Sequence, residues 1–317
     1  MVVRRGAGTV LTPERVELAV DMPRSLAAEP LAQVAAELGE GPAWDTELGV
    51  LSWVDILVGR VHVGSASGEL LRTFELGRAV GCALPAAAGG FLLADADGFS
   101  LLSEEGAASG LLAVVADRPD LRFNDGKCDP QGRAWAGTMD NHAAPGAGTL
   151  YRLDAGPVAT PVLTGVSVSN GLGWSPDGAT MWFSDSGHRH VSAFEYDVRT
   201  GALGELSFVT ELQRTAAVPD GLCVDDHGCI WVALWGGGAV HRYTPEGRLD
   251  TVVRVPADQV TSCCFGGSGL STLFVTTARR GIGPEALARQ PAAGGLFAVE
   301  TGVTGPAAVP WRSVARP

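Results

Sequence analysis

Four residues that carry side-chain oxygens stand directly before a glycine at the same place of a repeated segment: Glu40 (in Leu38-Gly-Glu-Gly-Pro42), Asp125, Asn170 and Asp220. With no thiolate or imidazole at the same place, such a set suits a hard divalent cation, with coordination positions left for water and substrate. A cation there would polarise an ester or lactone carbonyl while a neighbouring carboxylate takes a proton from attacking water. Asp220 fits that second role, and a hydroxide carried by the cation and held by Asp220 is an equal version of the same chemistry, because a nearby cation lowers the carboxylate's basicity. Asn-Gly and Asp-Gly are also the commonest turn dipeptides, so the pairs alone do not separate ligand from turn.

The surrounding elements bear on that choice. Asn124-Asp-Gly-Lys-Cys-Asp-Pro-Gln-Gly-Arg-Ala-Trp-Ala-Gly137, Asn170-Gly-Leu-Gly-Trp-Ser-Pro-Asp-Gly-Ala-Thr-Met-Trp-Phe-Ser184 and Asp220-Gly-Leu-Cys-Val-Asp-Asp-His-Gly-Cys-Ile-Trp-Val-Ala233 share one grammar: a polar residue before Gly, a short apolar run, a turn, and a second run with a Trp. This reads as strand, tight turn, strand. The turn is already supplied by Asp129-Pro-Gln-Gly132, Ser175-Pro-Asp-Gly178 and Asp225-Asp-His-Gly228, which frees the earlier Gly pairs for another purpose. Gly126, Gly171 and Gly221 are 45 and 50 residues apart, and weaker copies begin near Gly41, Ala83 and Cys264. Six units of four short strands predict an all-β fold, a six-bladed β-propeller with four-stranded blades and an axial metal site.

In such a ring the equivalent residues of the innermost strands converge on one axis. Trp44, Trp53, Trp135, Trp174, Trp182 and Trp231 recur at strand positions and read as packing between blades. Residues 1–14 read as a flexible tail and 15–317 as one propeller domain, closed by pairing an N-terminal strand, Val16–Val20, with the last blade so that no edge stays open. Residues 24–38 are Ala-rich with Pro30 interrupting any helix, and 283–290 can form one helical turn in a loop.

Composition excludes whole classes of function. Lys+Arg 23 against Asp+Glu 35 leaves a net charge of −12, which disfavours nucleic acid as a partner. With 18% charged residues and 46% apolar ones the chain is folded rather than disordered. No apolar run is long enough to span a bilayer, and the segment after Arg4 and Arg5 is too broken for a secretion signal, so the expected location is cytoplasmic. Cys82, Cys128, Cys223, Cys229, Cys263 and Cys264 show no metal-binding spacing and are expected to be buried, reduced thiols; adjacent Cys263 and Cys264 point to opposite faces of a strand. His188 and His190 could share one face of a strand as metal ligands, although Asp185-Ser-Gly187 before them suggests a loop. No Gly-x-Ser-x-Gly elbow supports a serine nucleophile.

Seven segments in order, Gly39-Glu-Gly-Pro-Ala-Trp44, Arg122-Phe-Asn-Asp-Gly-Lys127, Ala136-Gly-Thr-Met139, Ser169-Asn-Gly-Leu172, Pro219-Asp-Gly221, Thr261-Ser-Cys-Cys-Phe-Gly-Gly267 and Arg289-Gln-Pro291, together resemble the family of gluconolactonase, regucalcin (senescence marker protein) and luciferin-regenerating enzyme. The resemblance implies that Glu40, Asn170 and Asp220 hold one divalent metal, calcium or zinc ahead of manganese, magnesium or iron, with Asp220 also the proton-transfer group. It implies that Arg122 and Asn124 bind substrate. Where regucalcin has a substrate-contacting glutamate this chain has His142, with Asp140 nearby. Asp125 is either an outer partner of the site lining the channel or a backbone cap. The expected activity is hydrolysis of a sugar lactone to the aldonic acid by a monomer or small homo-oligomer. The alternatives are a calcium-binding regulatory protein, a propeller esterase acting on organophosphates, and a noncatalytic interaction propeller.

Overall fold

A computed structural model describes residues 22–211 and 216–313. Its strands form six antiparallel sheets arranged as blades around an axis. Blade I comprises Gly39–Asp45, Val50–Asp55, Arg60–Ser65 and Leu70–Glu75; blade II, Val80–Pro85, Phe91–Asp95, Gly98–Leu102 and Ala108–Ala113; blade III, Leu121–Cys128, Ala134–Asp140, Gly148–Leu153 and Ala159–Val166. Blade IV holds Ser169–Trp174, Thr180–Asp185, His190–Asp197 and Ala202–Glu211; blade V, Val218–Val224, Ile230–Trp235, Ala239–Tyr243 and Leu249–Arg254; blade VI, Val260–Gly266, Thr272–Thr277 and Leu296–Glu300. The first strand of each blade packs against the first strands of both neighbours, closing an inner ring. Those inner strands are buried almost throughout, as expected of strands covered on both faces.

The ring closes between the two ends of the chain, though not with the strand expected. Val16–Val20 and the tail at 1–14 lie outside the described residues. Glu29–Ala32 is the fourth strand of blade VI, antiparallel to Leu296–Glu300. Just before it, Arg24–Ala27 adds a fifth, parallel strand to the outside of blade V. The Ala-rich segment with Pro30 is therefore the clasp of the ring. Proline is tolerated there because an outermost strand needs only one set of ladder bonds. Pro284–Arg289 does form a single short helix in a blade VI loop.

Six hydrophobic clusters fill the six blade junctions, so the core is a ring of wedges rather than one centre. Trp44 and Trp53 fill the junction of blades VI and I, Trp135 and Trp174 that of III and IV, Trp182 that of IV and V, and Trp231 that of V and VI. All six cysteines are buried and free. Cys263 and Cys264 belong to different junctions, as alternation along a strand requires. The C-terminal segment crosses the ring: Thr304 O accepts from Asp226 N, while Trp311 bonds with Pro85 and Ala87 of blade II. Among the described residues no helix is long and apolar enough to cross a membrane.

Candidate active site

The turns that join first and second strands fix the register of the site. Asp225 is fully buried; its Oδ1 accepts the backbone N–H groups of His227 and Cys229, and its Oδ2 accepts Trp231 Nε1 at 2.9 Å and Arg242 Nε at 2.7 Å. Asp129 does the same two blades away, taking Gln131 and Arg133 backbone N–H groups, Trp135 Nε1 and the Tyr196 hydroxyl. Each turn thus anchors a Trp in a junction and sets where the inner strand ends.

Every inner strand carries a β-bulge near its start: between Glu40 and Ala43, Val80 and Cys82, Phe123 and Gly126, Ser169 and Leu172, Pro219 and Leu222, and Val260 and Ser262. A bulge adds a residue on one strand and re-aims a side chain. Counting back from the paired ends of the hairpins, Trp44–Leu51, Cys128–Ala134, Trp174–Met181 and Val224–Ile230, the equivalent residues are Glu40, Asn124, Asn170 and Asp220. Asn124, not Asp125, is the blade III member. The sequence alignment on "residue before Gly" slips by one in this blade because the glycine stands one place later in the bulge.

Glu40, Arg122, Asn124, His142, Asn170 and Asp220 all line one cavity of about 530 Å³ at one end of the axis. Asp125 is not among its lining residues. It lies on the far side of the bulge beside Lys127, where its Oδ1 accepts Gly126 N at 2.7 Å and its charge still acts on Glu40 and Asp220. It is therefore both a backbone cap and a channel-lining group. His188 is tied to Asp185 at 2.8 Å and stacked on His190, and among the described residues they belong to no group of three or more His, Cys, Asp and Glu side chains placed to hold a metal.

At the floor, Glu40 and Asp220 are buried within hydrogen-bonding reach of each other. Burial pushes both carboxyls well above the ordinary range; the charge of Asp220 adds to this for Glu40, and that of Asp125 for Asp220. Asn170 Nδ2 donates to Ser186 Oγ at 2.8 Å, and its Oδ1 accepts from Asn124 Nδ2 at 3.0 Å. Asn124 Nδ2 also donates to Ser169 O at 2.8 Å, while its Oδ1 accepts Arg122 Nη1 at 2.7 Å. Burial and the nearby Arg280 bring Arg122 down to about 10, and Glu40 and Asp220 act in the opposite direction.

The walls come from the connections around the ring. Leu38 and Val168 precede inner strands and Val218 begins one, while Met139, Ser186, Trp235 and Arg280 end or follow second strands. Asp55 and Asp185 hold these connections by accepting backbone N–H groups of Glu37 and Leu38, and of Ser167 and Val168. Ser186 and Arg280 escaped the sequence reading because loop residues carry no repeat of their own. For Ser186 a signal existed, since it directly follows the Asp185 that ends a second strand.

A family model described as "SMP-30/Gluconolactonase/LRE-like region" matches residues 38–279. The chain belongs to this family. It is 37% identical to zebrafish (Danio rerio) regucalcin over 87% of this chain and 94% of that protein. Among solved structures, a protein described as a calcium-binding protein, regucalcin, from Agrobacterium tumefaciens superposes with a TM-score of 0.86 at 31% identity, covering 91% of this chain and 98% of that one. A luciferin-regenerating enzyme gives 0.83 at 29%, covering 90% and 99%. The propeller predicted from the repeat is therefore the family's fold.

The family implies a divalent cation, and the floor fits one. Among the described residues no group of three or more His, Cys, Asp and Glu side chains is placed to hold a metal. A cation at the axis would accordingly have two carboxylates and amide oxygen as protein donors. Two like-charged groups forced together away from water are costly unless a proton or a cation lies between them. Arg122 is the one cation lining the floor, and it forms no ion pair within 4.0 Å with either carboxylate.

Proposed function

We propose that this protein is a divalent-metal-dependent lactonase that opens a sugar lactone to its aldonic acid. The observation that carries the reading is the Glu40–Asp220 pair, buried at the floor of a cavity of about 530 Å³. That volume lies within the usual range for small-molecule sites, roughly 300–1,000 Å³. Glu40, Asp220 and the Asn170 amide oxygen would hold the metal, and oxygen-only donors place calcium ahead of zinc. When bound, the cation supplies Lewis-acid polarisation of the lactone carbonyl.

The chain's own residues do the rest. Asp220 accepts a proton from the attacking water, whose oxygen bonds to the carbonyl carbon; the ring C–O bond breaks, the proton passes to the departing ring oxygen to make a hydroxyl, and the new carboxylic acid releases its remaining proton to solvent. Arg122 offers its remaining guanidinium nitrogens to substrate oxygens, since Nη1 is committed to Asn124 and to Phe123 O. Asn124 has both amide hydrogens engaged, which suits it to hold Arg122 and Asn170 in place, with one lone pair left for substrate. His142, exposed at the mouth, contacts the far end of the sugar. The polar floor favours a hydroxylated lactone over an organophosphate, and the open space above the carboxylates favours turnover over calcium buffering.

The test is hydrolysis of a panel of aldonolactones by metal-stripped protein, each divalent ion restored singly, beside Asp220→Ala. Metal-dependent turnover that the variant loses supports the proposal. Absence of turnover with every metal, while calcium still binds, rejects it.

A further inference from the structure

The cavity is lined by groups of both charges. Among the described residues Glu40 and Asp220 are the only acidic side chains that line it, and both are at the floor. Arg280 lines the same cavity from the loop that follows Thr272–Thr277, and its side chain is exposed to solvent. That loop is built to stay in place: Arg279 N donates to Glu37 O at 3.1 Å, Gln259 Nε2 donates to Arg280 O at 2.9 Å, and Ile282 N closes a turn on Arg279 O. Among the described residues no carboxylate forms an ion pair with Arg280 or with Arg122.

Two guanidinium groups thus line one cavity with no carboxylate paired to either, in a chain of net charge −12. Arg133 with Asp129, Arg242 with Asp225 and Asp250, and Arg152 with Asp154 show the ion-paired alternative in the same chain. Arg280 acts on Arg122 by like-charge repulsion, so an anion placed between them would relieve an existing cost as well as gain two charge-assisted hydrogen bonds. Ring hydroxyls alone would leave that repulsion in place. The His142 backbone N–H is taken by Asp140 Oδ1 at 2.7 Å, which fixes the loop that brings the imidazole to the same cavity.

We infer that the preferred substrate is a lactone carrying a second acidic group, a carboxylate or a phosphate ester, which Arg280 takes up with Arg122 while the ring carbonyl faces the Glu40–Asp220 floor. This rests on the lactonase reading. Arg280 is then a specificity-determining residue that touches the part of the substrate remote from the bond that breaks.

The experiment compares kcat/KM of the metal-loaded protein on three lactones: neutral gluconolactone, a hexarolactone with an exocyclic carboxylate, and a 6-phosphorylated gluconolactone. Wild type is expected to favour one or both anionic lactones over the neutral one by roughly tenfold or more, the scale of one charge-assisted hydrogen bond. Arg280→Gln should lower that ratio about tenfold, mainly through KM, and Arg280→Lys should restore part of it. The carboxylate and phosphate arms show which acidic group is taken. Equal or better turnover of the neutral lactone by wild type, or an unchanged ratio in Arg280→Gln, overturns the inference while leaving lactone hydrolysis standing. No turnover on any of the three overturns both.

Discussion

Asp225 is the head of the turn in blade V, and replacing it with Ala removes four accepted hydrogen bonds from a side chain with no solvent exposure. Trp231 Nε1, itself in a residue only 1% exposed, loses its acceptor, as do two backbone N–H groups. Arg242 keeps Asp250, so its charge is not stranded and the loss falls below that of breaking an isolated buried pair. A buried ion pair broken from one side costs about 3–5 kcal/mol, and a stranded buried donor about 1–3 kcal/mol. With Arg242 still paired, about 4 kcal/mol is expected for Asp225→Ala. Asp225→Asn retains an oxygen for the two backbone groups while turning an amide N–H toward other donors, and about 2 kcal/mol is expected. Asp226→Ala, on the exposed side of the same turn, should cost under about 1 kcal/mol. Urea denaturation of the metal-free proteins measures all three through the midpoint at constant slope. Because Asp220 stands five positions before Asp225, the first variant should also weaken divalent-ion binding. A loss under about 1 kcal/mol for Asp225→Ala, or equal losses for Asp225→Ala and Asp226→Ala, would refute the claim that buried turn heads set the register of the inner strands.

Three further outcomes follow from the same geometry. Glu40 and Asp220 have folded-state pKa values above their ordinary 4.5 and 3.8, so the native state holds protons that the unfolded chain has already released. Metal-free protein should therefore lose stability as pH rises from those ordinary values through the raised ones, and a divalent ion should restore more stability at pH 8 than at pH 5, as thermal denaturation with and without chelator would show. Gly171→Ala places a Cβ 2.4 Å from Leu222 N and 2.8 Å from Asp220 O, backbone that cannot swing aside, so a loss of about 1–3 kcal/mol and weaker ion binding are expected in denaturation and titration experiments. Trp311→Ala removes a 5%-exposed side chain from the junction of blades II and III, and about 3–5 kcal/mol should be lost in urea denaturation.

The ring was legible because each blade must solve the same problem with local chemistry. The turns at Asp129, Ser175 and Asp225 and the Trp residues that follow them are dictated within about ten residues of sequence, so they repeat visibly. The floor was legible for Glu40, Asn170 and Asp220 for the same reason. Asp125 against Asn124 was misaligned because the reading followed glycine, which marks a bulge only to within one residue. The separation of five from the turn head, as in Glu40 to Asp45, Asn124 to Asp129, Asn170 to Ser175 and Asp220 to Asp225, carries the correct register. Glu29–Ala32 was hidden because an outermost strand pairs through backbone alone and needs no alternating pattern. Arg280 and Trp235 reach the cavity through long-range closure of the ring, which no local pattern encodes.

The central claim is that Glu40, Asn170 and Asp220 hold one divalent cation. Calorimetric titration of metal-stripped protein with calcium, beside Asp220→Asn, tests it most directly. The account predicts one ion per chain for wild type and binding weakened at least tenfold in the variant, whose fold should be checked by its denaturation midpoint. Equal calcium affinity in the two proteins, or no binding of calcium, magnesium, manganese or zinc to wild type, would contradict it.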